Sequence, residues 1–206
     1  MRCGHSKRGS AMLVASLLAF GAAVAFADDA SDAASHLLHT TPQVAVSTVQ
    51  YVVPDVTLVR SDGKVVSLPE EMNDGRPVML NFIFTSCGSV CPLMSQVFAQ
   101  VQREFSDEKR DIHLMSISID PEADTPARLN EYADRFHAGP GWQHYTGTVD
   151  ASLTAQRAFD VYRGDKMSHA PVTLLRATPG QPWRRIDGFV TPDELIQAYR
   201  QLLDGG

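Results

Sequence analysis

The stretch Val78-Met79-Leu80-Asn81-Phe82-Ile83-Phe84 is almost continuously apolar and lacks the alternation of a strand with one face in water. Such a run suits a strand covered on both faces, and so a sheet with helices packed above and below it. Three residues later come Cys87-Gly88-Ser89-Val90-Cys91-Pro92, and Pro92 opens a helix whose apolar residues Met94, Val97, Phe98, Val101 and Phe105 keep three-to-four spacing. A buried strand that feeds a helix through a cysteine-bearing turn constrains everything else in the chain.

The remaining pattern extends this unit in both directions. Val56 to Leu58 and Val65 to Leu68 flank Asp62-Gly63, a hairpin signal. Ile112 to Ile119 reads as a strand, and Thr125-Pro126 starts a helix carrying Leu129, Tyr132, Ala133 and Phe136 on one face. A weaker strand-helix pair covers His144 to Val161 as an inserted piece. Val172 to Leu175 and Arg185 to Val190 read as two more strands. Thr191-Pro192-Asp193-Glu194 is a capping box before a helix whose stripe is Leu195, Ile196, Tyr199, Leu202 and Leu203. Hairpin, β-α-β-α, insertion, then β-β-α is the element order of an α/β thioredoxin-like fold, a central mixed sheet flanked by helices.

The 206 residues suffice for one domain with its own core. A net charge of −6 argues against a nucleic-acid surface, and three cysteines are too few for a disulfide scaffold. The first 27 residues read as a cleaved export signal. Arg2, Lys7 and Arg8 precede an apolar run from Ala11 to Ala25, and Ala25-Phe26-Ala27 is a small-x-small cleavage pattern. The alternative is an uncleaved anchor, but the run is short for a span and rich in Ala rather than Leu. Residues 28–48 read as a flexible lead-in, and 49–206 as the thioredoxin-like domain. The compartment is then outside the cytoplasm, most simply a periplasm. Cys87 and Cys91 are the two cysteines left after cleavage, in a place where a disulfide is allowed.

A four-residue offset brings the two sulfurs together across one turn, and backbone N–H groups at a helix N-terminus favour thiolate. Two neighbouring thiolates suit a soft metal or reversible disulfide formation. A purely structural disulfide closing so short a loop would contribute little entropy. Copper would want a further ligand such as imidazole. His169 stands just before the strand at 172, which runs antiparallel to residues 78–84 in this fold, so it falls beside the cysteine end of that strand. Asp120 follows the strand ending at Ile119 on the same edge and could orient a ligand or offer an oxygen. Asp124 and Thr125 read as helix caps. The other histidines, His36, His39, His113, His137 and His144, read as structural or solvated. Met94 fits the helix's apolar stripe, while Met167 lies near His169 and could tune a soft metal.

Phe84-Thr85-Ser86-Cys87 through Cys91-Pro92, the segment Ser118-Ile119-Asp120-Pro121-Glu122-Ala123-Asp124-Thr125-Pro126, and His169 before a strand together resemble the SCO1/SenC family of copper-binding, thioredoxin-like proteins. The resemblance implies Cu(I) or Cu(II) binding by Cys87, Cys91 and His169. It also implies a role in assembling the copper centre of cytochrome c oxidase, with its copper-site subunit or another copper protein as partner. On this reading the chain is an exported copper metallochaperone. The alternative is a periplasmic thiol–disulfide oxidoreductase that reduces a partner's cysteines and is itself recharged by a thiol reductant. Thioredoxin-like enzymes of that class usually carry C-x-x-C, one residue shorter than the spacing here. A thiol peroxidase ranks last, because Gly88 stands where that pattern places a Thr or Ser hydroxyl.

Overall fold

The computed structural model describes residues 44–204, so the export signal, nearly all of the lead-in, His36 and His39 lie outside the described residues. The described chain forms an eight-stranded sheet: β1 (Ala45–Val49), β2 (Thr57–Arg60), β3 (Val65–Ser67), β4 (Val78–Ile83), β5 (His113–Ser118), β6 (Trp142–Gly147), β7 (Val172–Arg176) and β8 (Trp183–Asp187). Five helices accompany it: α1 (Leu68–Met72), α2 (Val90–Asp107), α3 (Pro126–Arg135), α4 (Val149–Ala158) and α5 (Pro192–Asp204). A single 3-10 turn, Lys166–Ser168, precedes β7. Among these residues no helix is long and apolar enough to cross a membrane.

The strand order is β1-β8-β7-β4-β5-β6-β2-β3. β4, β5 and β6 run parallel, while β7 pairs antiparallel with β4 and β8 with β7. This is the mixed sheet of a thioredoxin-like fold, and it explains the apolar run of β4. Val78, Leu80 and Phe82 enter one core with α1, α4 and Trp183. Met79 faces the opposite core with Phe98, Phe105 and Tyr199 from α2 and α5, and Ile83 packs with Cys91, Leu129 and Tyr132. All six residues of β4 are buried because both faces are covered.

The inserted strand and helix are β6 and α4, and β6 receives the β2–β3 hairpin on its outer edge. Gly63 takes the left-handed backbone of the hairpin turn, at φ +85°, where a side chain would be strained. The capping box at α5 forms in both directions: Thr191 N donates to Glu194 Oε2 at 2.8 Å, and Glu194 N to Thr191 Oγ1 at 3.3 Å.

Several elements depart from the sequence pattern: α1 takes Leu68 from the second arm of the hairpin, and β8 covers Trp183–Asp187 rather than Arg185 to Val190. β1 occupies residues that composition assigns to the lead-in, so the sheet begins before residue 49. Four of its five residues are exposed, and it is held by main-chain pairing with β8, from Ala45 opposite Asp187 to Val49 opposite Trp183. An exposed edge strand has no apolar period to read. The helix after the cysteines begins at Val90, before Pro92. Proline therefore sits in the first turn, where its missing N–H costs nothing.

Candidate metal centre

The turn from β4 into α2 places both cysteines. Cys87 N donates to Phe84 O at 3.1 Å, closing a turn that sends the chain across the carboxyl end of the sheet. Ser89, at the N-cap of α2, makes no side-chain capping bond. Instead Cys91 N donates to Cys87 Sγ at 3.4 Å, so sulfur takes the place of a capping oxygen at the positive end of an 18-residue helix.

The two thiols differ in character. Burial alone would raise the pKa of half-buried Cys87, but the backbone N–H groups of Cys91, Ser89 and Val90 and the Cys91 side chain outweigh it and bring it below the ordinary thiol value. Cys91 is 1% exposed, and burial pushes its thiol up. The backbone of Phe84 partly offsets this, while Cys87 and Asp124 add to it. Both are free thiols. One sulfur is thus poised as nucleophile or first ligand, and the other is held protonated until something displaces its proton.

His169 stands at the end of the 3-10 turn, immediately before β7. Its Nε2 lies 2.9 Å from Phe82 O, on the strand that leads to the cysteines. Burial lowers its pKa, Phe82 O opposes that, and Arg163 lowers it further, so near neutral pH the ring is uncharged. The antiparallel β7–β4 pairing therefore carries His169 to the sheet edge expected for it, with its ring engaged by a β4 carbonyl. Among the described residues no three His, Cys, Asp or Glu side chains are gathered closely enough to hold a metal ion.

Asp120 lies on the same edge and receives Lys166 Nζ at 2.6 Å. The Lys166 ammonium also sits 5.8 Å from the centroid of the Phe84 ring. The pair ties the turn carrying His169 to the segment after β5 and to the last residue before the cysteine turn.

Asp124 does not cap α3. It is fully buried and accepts hydrogen bonds from Thr85 N at 3.1 Å, from Thr85 Oγ1 at 2.6 Å and from Ser118 Oγ at 2.6 Å. Thr125 caps the helix alone, accepting from Arg128 N at 3.3 Å. A buried carboxylate persists only when its oxygens are satisfied. Here three donors from two segments fasten the cysteine turn to the end of β5. Sequence reasoning missed this role because Asp124 and Thr85 are 39 residues apart, and no local period links them.

His113 and His144 are structural. His113 lies between Glu71 O at 3.1 Å and Tyr145 Oη at 3.0 Å, and His144 is buried beside Trp142 and Tyr132. Met94 is a core residue, whereas Met167 is 75% exposed.

Comparison with known proteins agrees with this fold. The family model described as SCO1/SenC matches residues 45–204. The chain is 34% identical over 106 residues to the SCO1 protein homolog of Bacillus subtilis, covering 51% of this chain and 54% of that protein, so it spans about half the length of that relative. The copper-bound crystal structure of Arabidopsis thaliana ScoI superposes with a TM-score of 0.65 at 23% identity, covering 75% of this chain and 100% of that one. BsSco, described with a disulfide switch and as a member of the Sco family of cytochrome c oxidase assembly proteins, superposes with a TM-score of 0.64 at 24% identity, covering 77% of this chain and 96% of that one. From the first residue of β1 to the last of α5, this chain belongs to the SCO1/SenC family.

Proposed function

We propose that the chain is an exported copper metallochaperone in which Cys87, Cys91 and His169 hold Cu(I) or Cu(II) for delivery to the copper-site subunit of cytochrome c oxidase or to another copper protein. The observation that carries this reading is the placement of a thiol pair and a neutral imidazole on one sheet edge, joined through β4. Two thiolates and an imidazole are a donor set suited to copper, and three ligands leave the shell open for exchange. Membership of the family and the copper bound in the Arabidopsis protein support it.

The chain's own residues do the following. Cys87, already biased toward thiolate, offers the first sulfur. Cys91 gives up its proton as the metal's charge replaces it, which makes binding weaker in acid. His169 offers a ring nitrogen, Nδ1 while Nε2 keeps its bond to Phe82 O, an arrangement that would also fix the ring. Asp120 and Lys166 hold the turn that carries it. Export to the periplasm through residues 1–27 belongs to this reading, with an uncleaved signal serving as membrane anchor in the alternative.

An anaerobic Cu(I) titration against a competing chelator tests it. One copper per chain is expected, with affinity at least about tenfold lower in His169→Ala, the loss of one ligand. Tight binding indifferent to His169 would remove that residue from the site.

The unequal thiols favour a second reading, that of a thiol–disulfide oxidoreductase. A lowered Cys87 would attack a partner's disulfide and Cys91 would resolve the mixed species. The two roles are compatible, since reducing a partner's cysteines prepares them to take copper.

A further inference from the structure

An open cleft of about 460 Å³ lies beside the cysteine turn, lined by Thr85 and Ser86 from that turn and by Arg128, Glu131 and Arg135 from α3. The three α3 residues recur at i, i+3 and i+7 and so share one face of the helix. Contacts locate both guanidiniums. Arg128 Nη1 donates to Ala123 O at 3.2 Å. Arg135 lies over the ring of Tyr132, 4.8 Å from its centroid, and Tyr132 packs in the cluster that holds Cys91. The Tyr132 hydroxyl shares a hydrogen bond with Ser95 of α2 at 2.8 Å, which fixes the ring. Arg135 therefore stacks on a ring of the same cluster that holds the buried thiol.

Neither guanidinium has a carboxylate at ion-pair distance among the described residues, unlike those of Arg60, Arg76, Arg110, Arg185 and Arg200. The cleft thus carries two cations against one carboxylate in a chain whose net charge is −6. Such a spot attracts a local negative charge while the rest of the molecule repels it, which orients an approaching acidic partner. Guanidinium forks match carboxylates in geometry as well as charge. Seven residues of helix rise about 10 Å, and three residues of extended chain span about the same distance.

We propose that this cleft docks an acidic, extended segment flanking the cysteines of the protein with which the thiol pair exchanges electrons or copper, Arg128 and Arg135 each taking a carboxylate. The proposal rests on the dithiol reading above and adds the partner's chemistry to it. In the redox branch, the Cys87 thiolate attacks one sulfur of the partner's disulfide; that bond breaks, and the second partner sulfur leaves as thiolate. Cys91 then gives its proton to solvent and attacks the Cys87 sulfur, releasing the first partner sulfur. Two electrons have passed to the partner, and Cys87 and Cys91 are joined.

The test uses the reduced protein and two disulfide-bridged synthetic peptides, one with two Glu three residues apart beside the bridge and one with Gln in their place. The ratio of their second-order reduction rates is the readout, and uncharged 4,4′-dithiodipyridine reports thiol reactivity alone. At low salt the acidic peptide is expected to react about tenfold faster than its Gln twin, with the advantage shrinking at high salt. In the double variant Arg128→Glu/Arg135→Glu, both positions exposed on α3, the ratio is expected to fall to one or below. Equal rates for the two peptides with the parent protein, or an advantage that survives in the double variant, would overturn the docking site. A parent protein that fails to react with dithiodipyridine would instead overturn the dithiol reading, and the docking proposal with it.

Discussion

Asp124 shows how much a single side chain can decide at this site. Three donors converge on its buried carboxylate, and two of them belong to Thr85 in the cysteine turn. Asp124→Asn turns part of that acceptor into a donor facing donors. It is expected to cost about 3 kcal/mol in urea unfolding, as the loss of hydrogen bonds to a charged buried group does. The unfastened turn should also speed alkylation of Cys91, which is otherwise 1% exposed. His144 offers a pH prediction. Neither of its ring nitrogens has a partner among the described residues, and burial drives its pKa from 6.5 down to about 3. Between those values the unfolded chain binds a proton that the folded chain refuses, so stability is full above pH 6.5 and falls as pH falls. Going from pH 7 to pH 5, the parent should lose about 2 kcal/mol more than His144→Phe, measured by denaturant unfolding at the two pH values. The cysteines and His169 were legible as candidates because their chemistry is written in residue type and in the elements they border. The ring's bond to Phe82 O was not, since it depends on the register of β7 against β4.

At the scale of elements, the 3-10 turn Lys166–Ser168 ties His169 to Asp120 just after β5. It is held by its own cap, Asp165 Oδ1 accepting from Met167 N at 2.9 Å, and by the Lys166–Asp120 pair. Lys166→Met keeps the side chain's length and removes the pair. The Ser168 and His169 amides, bonded to Asp165 O and Lys166 O, should then exchange with deuterium several-fold faster, while α5 amides are unaffected. Unchanged exchange would show that the cap alone holds the turn. Helices α2, α3 and α5 were readable because each has a 3.6-residue apolar stripe and a proline or capping residue at its start. The short helix α1 and the strand β1 were not. Helix α1 is five residues long and follows directly from β3, too short to display a period. Strand β1 is recognisable only by the strand it pairs with.

For the whole molecule, β1 closes the edge of the sheet that β8 would otherwise expose. A chain beginning at residue 50 should fold, because β1 contributes little buried surface. It should nevertheless melt about 5 °C lower, the shift expected from losing one to two kcal/mol in a domain of this size. It should also self-associate through the bared β8, and light scattering would detect this. A chain that melts unchanged would make β1 an ornament of the sheet.

The sequence alone determined the layered α/β architecture. An apolar run such as β4 cannot stay in water on either side, and the periods of the flanking segments supply the helices that cover it. It also set two cysteines one turn apart at a helix N-terminus, where thiolate and helix dipole interact over a few residues. Only the tertiary structure decided which thiol is lowered and which is raised, because that depends on burial and on N–H groups set by the turn. The tertiary structure likewise turned Asp124 inward, engaged His169 with Phe82, and left Arg128 and Arg135 free of carboxylates among the described residues. Each of these rests on contacts between residues distant along the chain, and a local period carries no record of where such residues meet.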